Sequence, residues 1–477
     1  MFDGLRSHIQ KLEEAGQLKK IYGADWNLEI GTICEINSER NGPALLFDRI
    51  KDYPEGYRLL THFMFKPRKT QRLAFGIPDE MSDVDIIRDW RDKLRNFKPV
   101  PPVEVKTGPI RENVLTGADI DMFKFPTPMW HLKDGGRYIG TGDISLNKDP
   151  DEGFINMGTY RVMIHEKDMV SYYQSPGAHG DMIRQKYWAR GEDCPVVVCF
   201  GQDPMVFAAS TMQLPWGVQE LDFAGYIRGR PIEVIQDDVT GLPIPATAEI
   251  AIAGFAPPPE KESRIEGPFG EWSGYYASEA AQRPIIHVKK LYRRNDPIML
   301  GAPLNKAETA WYEIPIHYAP VIWERLLAIG MPGIQSVWSY GRGYRTITVI
   351  SIKQSYLGHA QMVGTIAAAI PRGAAMSGKY TIVVDDDIDP SNWDEVVWAL
   401  STRVDPETSI EILHGHLNTP LDPSIPPERR GRGDFTSARV LINACRPYHW
   451  IKEFASVITS TPEMRSAVLK KFGALWD

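Results

Sequence analysis

Between residues 106 and 300 the chain offers short β-branched and aromatic runs, each closed by glycine or proline, and little helical periodicity. Runs of this kind read as strands, predicted at 160–164, 196–200, 232–235, 248–253 and 285–288. Many short strands at such spacing fold as a barrel or a sandwich rather than a parallel α/β sheet. The flanks differ. Residues 1–105 mix an opening helix, with Leu5, Ile9, Leu12 and Ala15 on one side, a strand at 43–47 and a charged amphipathic helix at 83–97. That helix must stop at Lys98-Pro99-Val100-Pro101-Pro102, because proline lacks the amide donor and restricts the residue before it. After residue 300 helical signals return at 319–329, 392–401 and 462–472, with strands at 346–352 and 380–384. The expected division is an N-terminal α/β domain over 1–105, a β-domain over 106–300 and an α/β domain over 301–477.

Composition narrows the function classes. With 54 basic and 61 acidic residues the net charge is -7, which argues against a nucleic-acid backbone as partner. No stretch of about 20 apolar residues occurs, so no membrane partner is expected. Four cysteines, Cys34, Cys194, Cys199 and Cys445, make no disulfide framework and suit a reducing compartment, so a cytoplasmic protein is expected.

The sharpest local feature is Glu266-Gly267-Pro268-Phe269-Gly270-Glu271. Glycine and proline between the two acids rule out an ordinary helix. A tight turn can aim both carboxylates into one cavity, where burial and like charge raise at least one pKa and leave a general acid beside an electrostatic partner. A surface turn with two solvated acids satisfies the same residues, and the turn alone does not choose.

This segment, with Gly274-Tyr275 after it, resembles the signature of the UbiD decarboxylases, the family that includes ferulic acid decarboxylases. Further segments resemble that family in the same order: Asn156 to Arg161, Gln174 to His179, Ala209 to Met212, Gly217 to Glu220, Pro245 to Ile250, Val384 to Asp389 and Ser401 to Arg403. The resemblance implies a multidomain α+β and α/β protein whose central split β-barrel binds flavin. It implies reversible, non-oxidative decarboxylation of a (hetero)aromatic or α,β-unsaturated acid through a covalent adduct with prenylated FMN. Arg161, Glu266 and Glu271 would form the catalytic network, with Glu271 the proton donor. Asn156, His179 and Glu220 would hold Mn2+, or Mg2+, against the cofactor phosphate, a hard mixed ligand set suited to those ions. Ser210 with the carbonyls of Ala209 and Met212 would bind K+, with Asp422 and Arg403 near it. Gln174 and Lys353 would contact the cofactor. A UbiX-type flavin prenyltransferase would supply that cofactor, and a homodimer or a hexamer of dimers is implied. A flavin-dependent oxidoreductase on the same barrel, or a non-catalytic paralogue, is the competing reading.

Trp272 stands where the ferulic acid enzymes carry methionine, which could reshape the substrate pocket or serve packing. Ile314, Ile316 and His317 are candidates for the same pocket, and His317 fits a solvent-facing helix start equally well. Gly140-Thr141-Gly142 lacks the third glycine of a dinucleotide fingerprint. The acidic run Asp385-Asp386-Asp387 lacks calcium-loop spacing and reads as a turn at a strand end.

Overall fold

A computed structural model describes residues 4–276, 279–306, 313–340, 346–370 and 378–475. Its centre is a curled antiparallel half-barrel sheet. The hydrogen-bonded path runs Tyr138–Gly140, Val162–Glu166, Met169–Tyr172, Ala281–Arg293, Ile250–Ala256, Cys194–Phe200, Asp143–Lys148, Ile155–Gly158. Asn113–Thr116 and Ser263–Glu266 pair additionally with Ala281–Arg293.

The connections force the roll. The chain leaves Ile155–Gly158 at one end of the path and enters Val162–Glu166, beside the other end, after only residues 159–161. Laid flat, those strands would lie six interstrand steps apart, about 29 Å. Four extended Cα steps reach about 14 Å. Side chains from strands far apart on the path, Tyr138 and Val162 with Val198 and Phe200, accordingly share one apolar cluster. Arg161 rides on the crossing segment: strand pairing begins at Val162, two residues later than the sequence predicts.

Three helices interrupt this β-region, contrary to the sequence expectation: His179–Ala189, Pro204–Ser210 and Glu220–Arg228. Their patterning hides them. Every residue of Pro204–Ser210 is buried, so no apolar stripe exists to be read. His179–Ala189 buries Asp181 and Arg184 beside Ile183, and the two charged residues satisfy each other at 2.7 Å.

The N-terminal sheet has the order Leu18–Tyr22, Ala44–Asp48, Arg58–Thr61, Ile298–Gly301. Its last strand follows the curled sheet in the chain yet pairs in parallel with Arg58–Thr61. The C-terminal part is a five-stranded mixed sheet, Ile334–Ser339, Ile347–Ile352, Tyr380–Asp385, Thr436–Ala444, Ile410–Leu417. Ala319–Ala328 packs against both Asp83–Arg95 and Ile334–Ser339, joining the N- and C-terminal parts. All four cysteines are buried and unbridged. Among the described residues no helix is long and apolar enough to cross a membrane.

Candidate active site

Glu266 ends the strand Ser263–Glu266, and the chain then turns through Gly267, whose φ of 92° lies in the region glycine tolerates. A second turn braces this loop. The Gly135 N–H donates to the Pro268 carbonyl at 2.8 Å, and the Gly270 N–H to Asp134 Oδ1 at 3.0 Å. Gly135 must be glycine here, since a Cβ would stand 1.9 Å from the Gly267 oxygen.

The braced loop presents both acids to Arg161. Its Nε and Nη2 donate to the two oxygens of Glu266, each at 2.9 Å, and Nη1 donates to Glu271 Oε1. The Tyr138 hydroxyl adds a 2.6 Å bond to Glu266 Oε1. All three members of the network are buried or nearly so. The guanidinium lies over the rings of Tyr173, at 4.3 Å, and Phe269, at 5.4 Å. Burial pushes the Glu271 carboxyl above its ordinary range; Arg161 opposes that shift and the charge of Glu266 adds to it. Burial works against the charge of Arg161, but Glu271 and Glu266 outweigh it and hold the guanidinium firmly protonated.

These groups open onto a cleft of about 210 Å³ lined by Arg161, Tyr173, Phe269, Glu271 and Trp272, with Ala302, Leu304 and, from the C-terminal part, Leu421. Trp272 thus forms part of its wall. His317 faces neither solvent nor this wall: it is buried, and Nε2 sits 2.9 Å from Thr211 Oγ1 and 3.2 Å from the Ala208 carbonyl. Ile314 and Ile316 pack in the main apolar core.

A second cluster lies along the same sheet. Asn156 donates through Nδ2 to Asn147 Oδ1 at 3.1 Å, which leaves its carbonyl oxygen as the atom to offer a cation. Asn147 in turn donates to the Gly180 carbonyl at 3.0 Å, tying this strand to the residue after His179. Glu220 opens its helix and accepts the Met157 N–H at 2.8 Å. Neighbouring bonds therefore link the chain segments that carry the three candidate metal ligands. Glu220 is buried without an ion pair among the described residues, and burial pushes its carboxyl up to about 8. Burial lowers the pKa of His179, favouring the neutral imidazole that can ligate a metal. A buried carboxylate short of a countercharge, an oriented amide oxygen and a neutral imidazole fit a divalent cation. Gln174 donates to the Tyr172 hydroxyl at 2.6 Å, while its buried Oε1 finds no partner among the described residues.

The remaining candidates divide. Ser210 ends its helix with Oγ 2.7 Å from Thr159 Oγ1, beside the crossing segment, and the Ala209 carbonyl accepts the Met212 N–H at 3.0 Å. Lys353 is exposed and makes no bond to either cluster among the described residues. Asp422 is buried, accepting from Lys379 Nζ at 3.2 Å, Asn418 Nδ2 at 2.7 Å and the backbone and hydroxyl of Ser424. Arg403 donates to Asp385 and Asp387 at 2.8–3.0 Å; a guanidinium has no lone pair for a cation, and this one braces the acidic turn after Tyr380–Asp385. Sequence reasoning missed Tyr138, Asp134 and Asn147, which hold the named residues in place, and Asp143 on the cleft floor.

Family models cover the chain in three consecutive pieces. They match as the N-terminal domain of 3-octaprenyl-4-hydroxybenzoate carboxy-lyase over residues 9–93, its Rift-related domain over 102–306 and its C-terminal domain over 316–444. The chain belongs to the UbiD family. It is a decarboxylase, a carboxy-lyase by reaction class. Among UbiD relatives, the pyrrole-2-carboxylic acid decarboxylase of Pseudomonas aeruginosa is 31% identical, covering 95% of this chain and 93% of its own. The phenolic acid decarboxylase of Streptomyces sp. (strain D7) is 28% identical, covering 94% of this chain and 92% of its own. Vanillic acid decarboxylase of Sedimentibacter hydroxybenzoicus superposes with a TM-score of 0.85 at 26% identity, covering 100% of this chain and 99% of its own. The UbiD-class enzyme HmfF of Pelotomaculum thermopropionicum, solved with FMN, superposes at 0.84 and 26% identity, covering 98% and 100%.

Proposed function

We propose that this UbiD enzyme releases CO2 reversibly from a (hetero)aromatic or α,β-unsaturated carboxylic acid, with Glu271 returning the proton to the carbon that loses the carboxylate. One observation carries the reading: a single buried arginine grips Glu266 through two nitrogens and Glu271 through one, at the wall of a cleft. Glu266, with Tyr138 as a further donor, suits the charged partner of Arg161. Glu271, with fewer donors and a raised pKa, suits the neutral acid.

Prenylated FMN is the cofactor this reading assigns to the site, supported by structures of HmfF that contain FMN and, in an evolved dimeric form, prenylated FMN. When bound, it would supply the electron sink for the charge left on carbon as CO2 departs. Asn156, His179 and Glu220 would hold Mn2+ or Mg2+ against its phosphate. The unpartnered Gln174 Oε1 would face it, and the Ala209–Ser210–Met212 loop would take K+. The central half-barrel is then the split barrel that carries the flavin. Tyr173, Phe269 and Trp272 give the cleft flat apolar walls suited to an aromatic substrate. The names of the relatives, acting on pyrrole-2-carboxylic, phenolic and vanillic acids, support that substrate class. A UbiX-type prenyltransferase would be the cofactor source. Self-assembly, as a homodimer or a hexamer of dimers, is supported by Met464, Val468, Leu469 and Phe472, left exposed on the helix Pro462–Phe472.

The test is co-expression with a flavin prenyltransferase, followed by an absorbance spectrum and a screen of benzoic, pyrrole-carboxylic and cinnamic acids for CO2 release. Flavin reduction by substrate without CO2 would instead mark an oxidoreductase.

A further inference from the structure

One buried acid on the cleft floor has no part in the network described so far. Asp143 opens the strand Asp143–Lys148 directly after Gly140-Thr141-Gly142. Strand alternation puts Asp143, Ser145 and Asn147 on one face, while Ile144 and Leu146 enter the main apolar core on the other. Across the ladder Asp143 faces Phe200, a member of the cluster inside the rolled sheet. The carboxyl therefore lies on the inner face, and Asp143 lines the same cleft as Arg161 and Glu271.

Its surroundings do not satisfy it. Oδ2 accepts a bond from Ser145 Oγ at 3.2 Å, but Oδ1 is buried without a partner, and Asp143 forms no ion pair among the described residues. Burial pushes the carboxyl up to about 8, only partly offset by nearby backbone amides and Ser145. The turn nevertheless makes room for it: a Cβ on Gly140 would come 2.9 Å from Oδ1. A buried acid with neither countercharge nor full hydrogen bonding costs stability, and an apolar residue of similar size would not. Such a group calls for a functional explanation, and at the wall of a cleft a bound ligand supplies one.

Position says what kind of ligand. Asn147, at the other end of the same polar face, bonds Asn156 of the candidate metal cluster. Four residue steps along the strand separate Asn147 from Asp143, about 13 Å. A flat molecule anchored by an anion at the metal end, or stacked against its ring, would bring a ring edge to Asp143.

Resting on the reading of this cleft as a flavin and aromatic-acid site, we propose that Asp143 is a ring-anchoring residue whose Oδ1 hydrogen-bonds an N–H, carbonyl or hydroxyl on the edge of a bound flat ring. Two rings offer that chemistry, the isoalloxazine and the substrate, and two measurements separate them. In the first, FMN is titrated into the apo forms of wild type, Asp143→Asn and Asp143→Ala, followed by flavin fluorescence. In the second, calorimetry on cofactor-loaded protein compares 4-hydroxybenzoate with benzoate and pyrrole-2-carboxylate with thiophene-2-carboxylate. Asp143→Ala is expected to weaken FMN binding by about tenfold or more, or to erase a wild-type preference of that size for the ligand bearing the polar group. The first result assigns the bond to the cofactor and the second to the substrate. Thermal midpoints are expected to hold or rise in both variants. The proposal is overturned if neither affinity changes, or if both variants lose thermal stability and binding merely follows the folded fraction; Asp143→Asn, which keeps the packing, guards against misfolding. Absence of CO2 release from every acid tested would count against the decarboxylase reading alone, because FMN affinity is read without turnover.

Discussion

Arg161 treats its two acids unequally: Glu266 receives a two-pronged grip at 2.9 Å on each oxygen, Glu271 a single nitrogen. The proposed reading gives the transferable proton to the less tightly held acid, Glu271. Glu271→Gln keeps the volume and removes the transferable proton. It is expected to lower kcat for CO2 release by about 10²–10⁴, with the flavin absorbance and circular dichroism of wild type. Undiminished turnover in this variant sinks the assignment.

The same asymmetry sets a pH response. In the proposed reading Glu271 works neutral, so activity is expected to decline on the alkaline side as it ionises. The charge of Glu266 helps raise the Glu271 pKa. Glu266→Gln removes that charge, and the alkaline limb of residual solvent-deuterium exchange into product is expected at lower pH than in wild type. An unmoved limb shows that the two carboxyls do not share one electrostatic environment.

Arg161→Leu strands two buried acids. Loss of one partner from a buried pair costs about 3–5 kcal/mol, read as a lower urea midpoint. Adding Glu266→Gln and Glu271→Gln is expected to recover part of the loss. No recovery in the triple variant means that the arginine stem, rather than its charge, carries the effect.

Metal binding separates the two groups of candidates. Mn2+ added to apo protein is expected to raise the thermal midpoint, and Asn156→Ala or Glu220→Ala to abolish that rise. Arg403→Met, which breaks the Asp385 and Asp387 pairs, lowers the midpoint without metal but leaves the rise intact. A rise lost in the Arg403 variant as well would return that residue to the metal's neighbourhood.

Asp143 gives a stability prediction with a definite sign. Its folded pKa, about 8, lies above the ordinary 3.8. A raised group contributes its stability fully below the unfolded value and loses it as pH rises through the folded one. Wild type is therefore expected to weaken relative to Asp143→Asn between pH 4 and 8, the gap levelling off above that. A pH-independent gap shows the carboxyl to be ordinary in the folded chain.

Much of the acid site was legible because Glu266 and Glu271 sit within one six-residue turn that announces its own shape through glycine and proline. Arg161, 105 residues before Glu266, came only with the family resemblance. The helices bearing His179, Ser210 and Glu220 were not legible from periodicity, because packing on several sides erases the polar face on which that signal depends. Asp143, directly after Gly140-Thr141-Gly142, belongs to no motif, and what distinguishes it, a buried oxygen without a partner among the described residues, has no trace in the sequence. The strand expected at 196–200 lies within Cys194–Phe200, whereas Ile298–Gly301, at the end of the expected β-domain, is drawn into the N-terminal sheet by a long-range parallel pairing that local sequence does not announce.

The short bridge at 159–161 makes chain length and chemistry a single variable. Thr159 touches Ser210, the Tyr160 hydroxyl sits 3.4 Å from the Gly180 amide, and Arg161 holds the acids. One inserted residue would detune all three contacts together, whereas Trp272, Leu304 and Leu421 can each be exchanged without altering the span. The length of this bridge thus bears on every contact at once, while the cleft wall can change one side chain at a time.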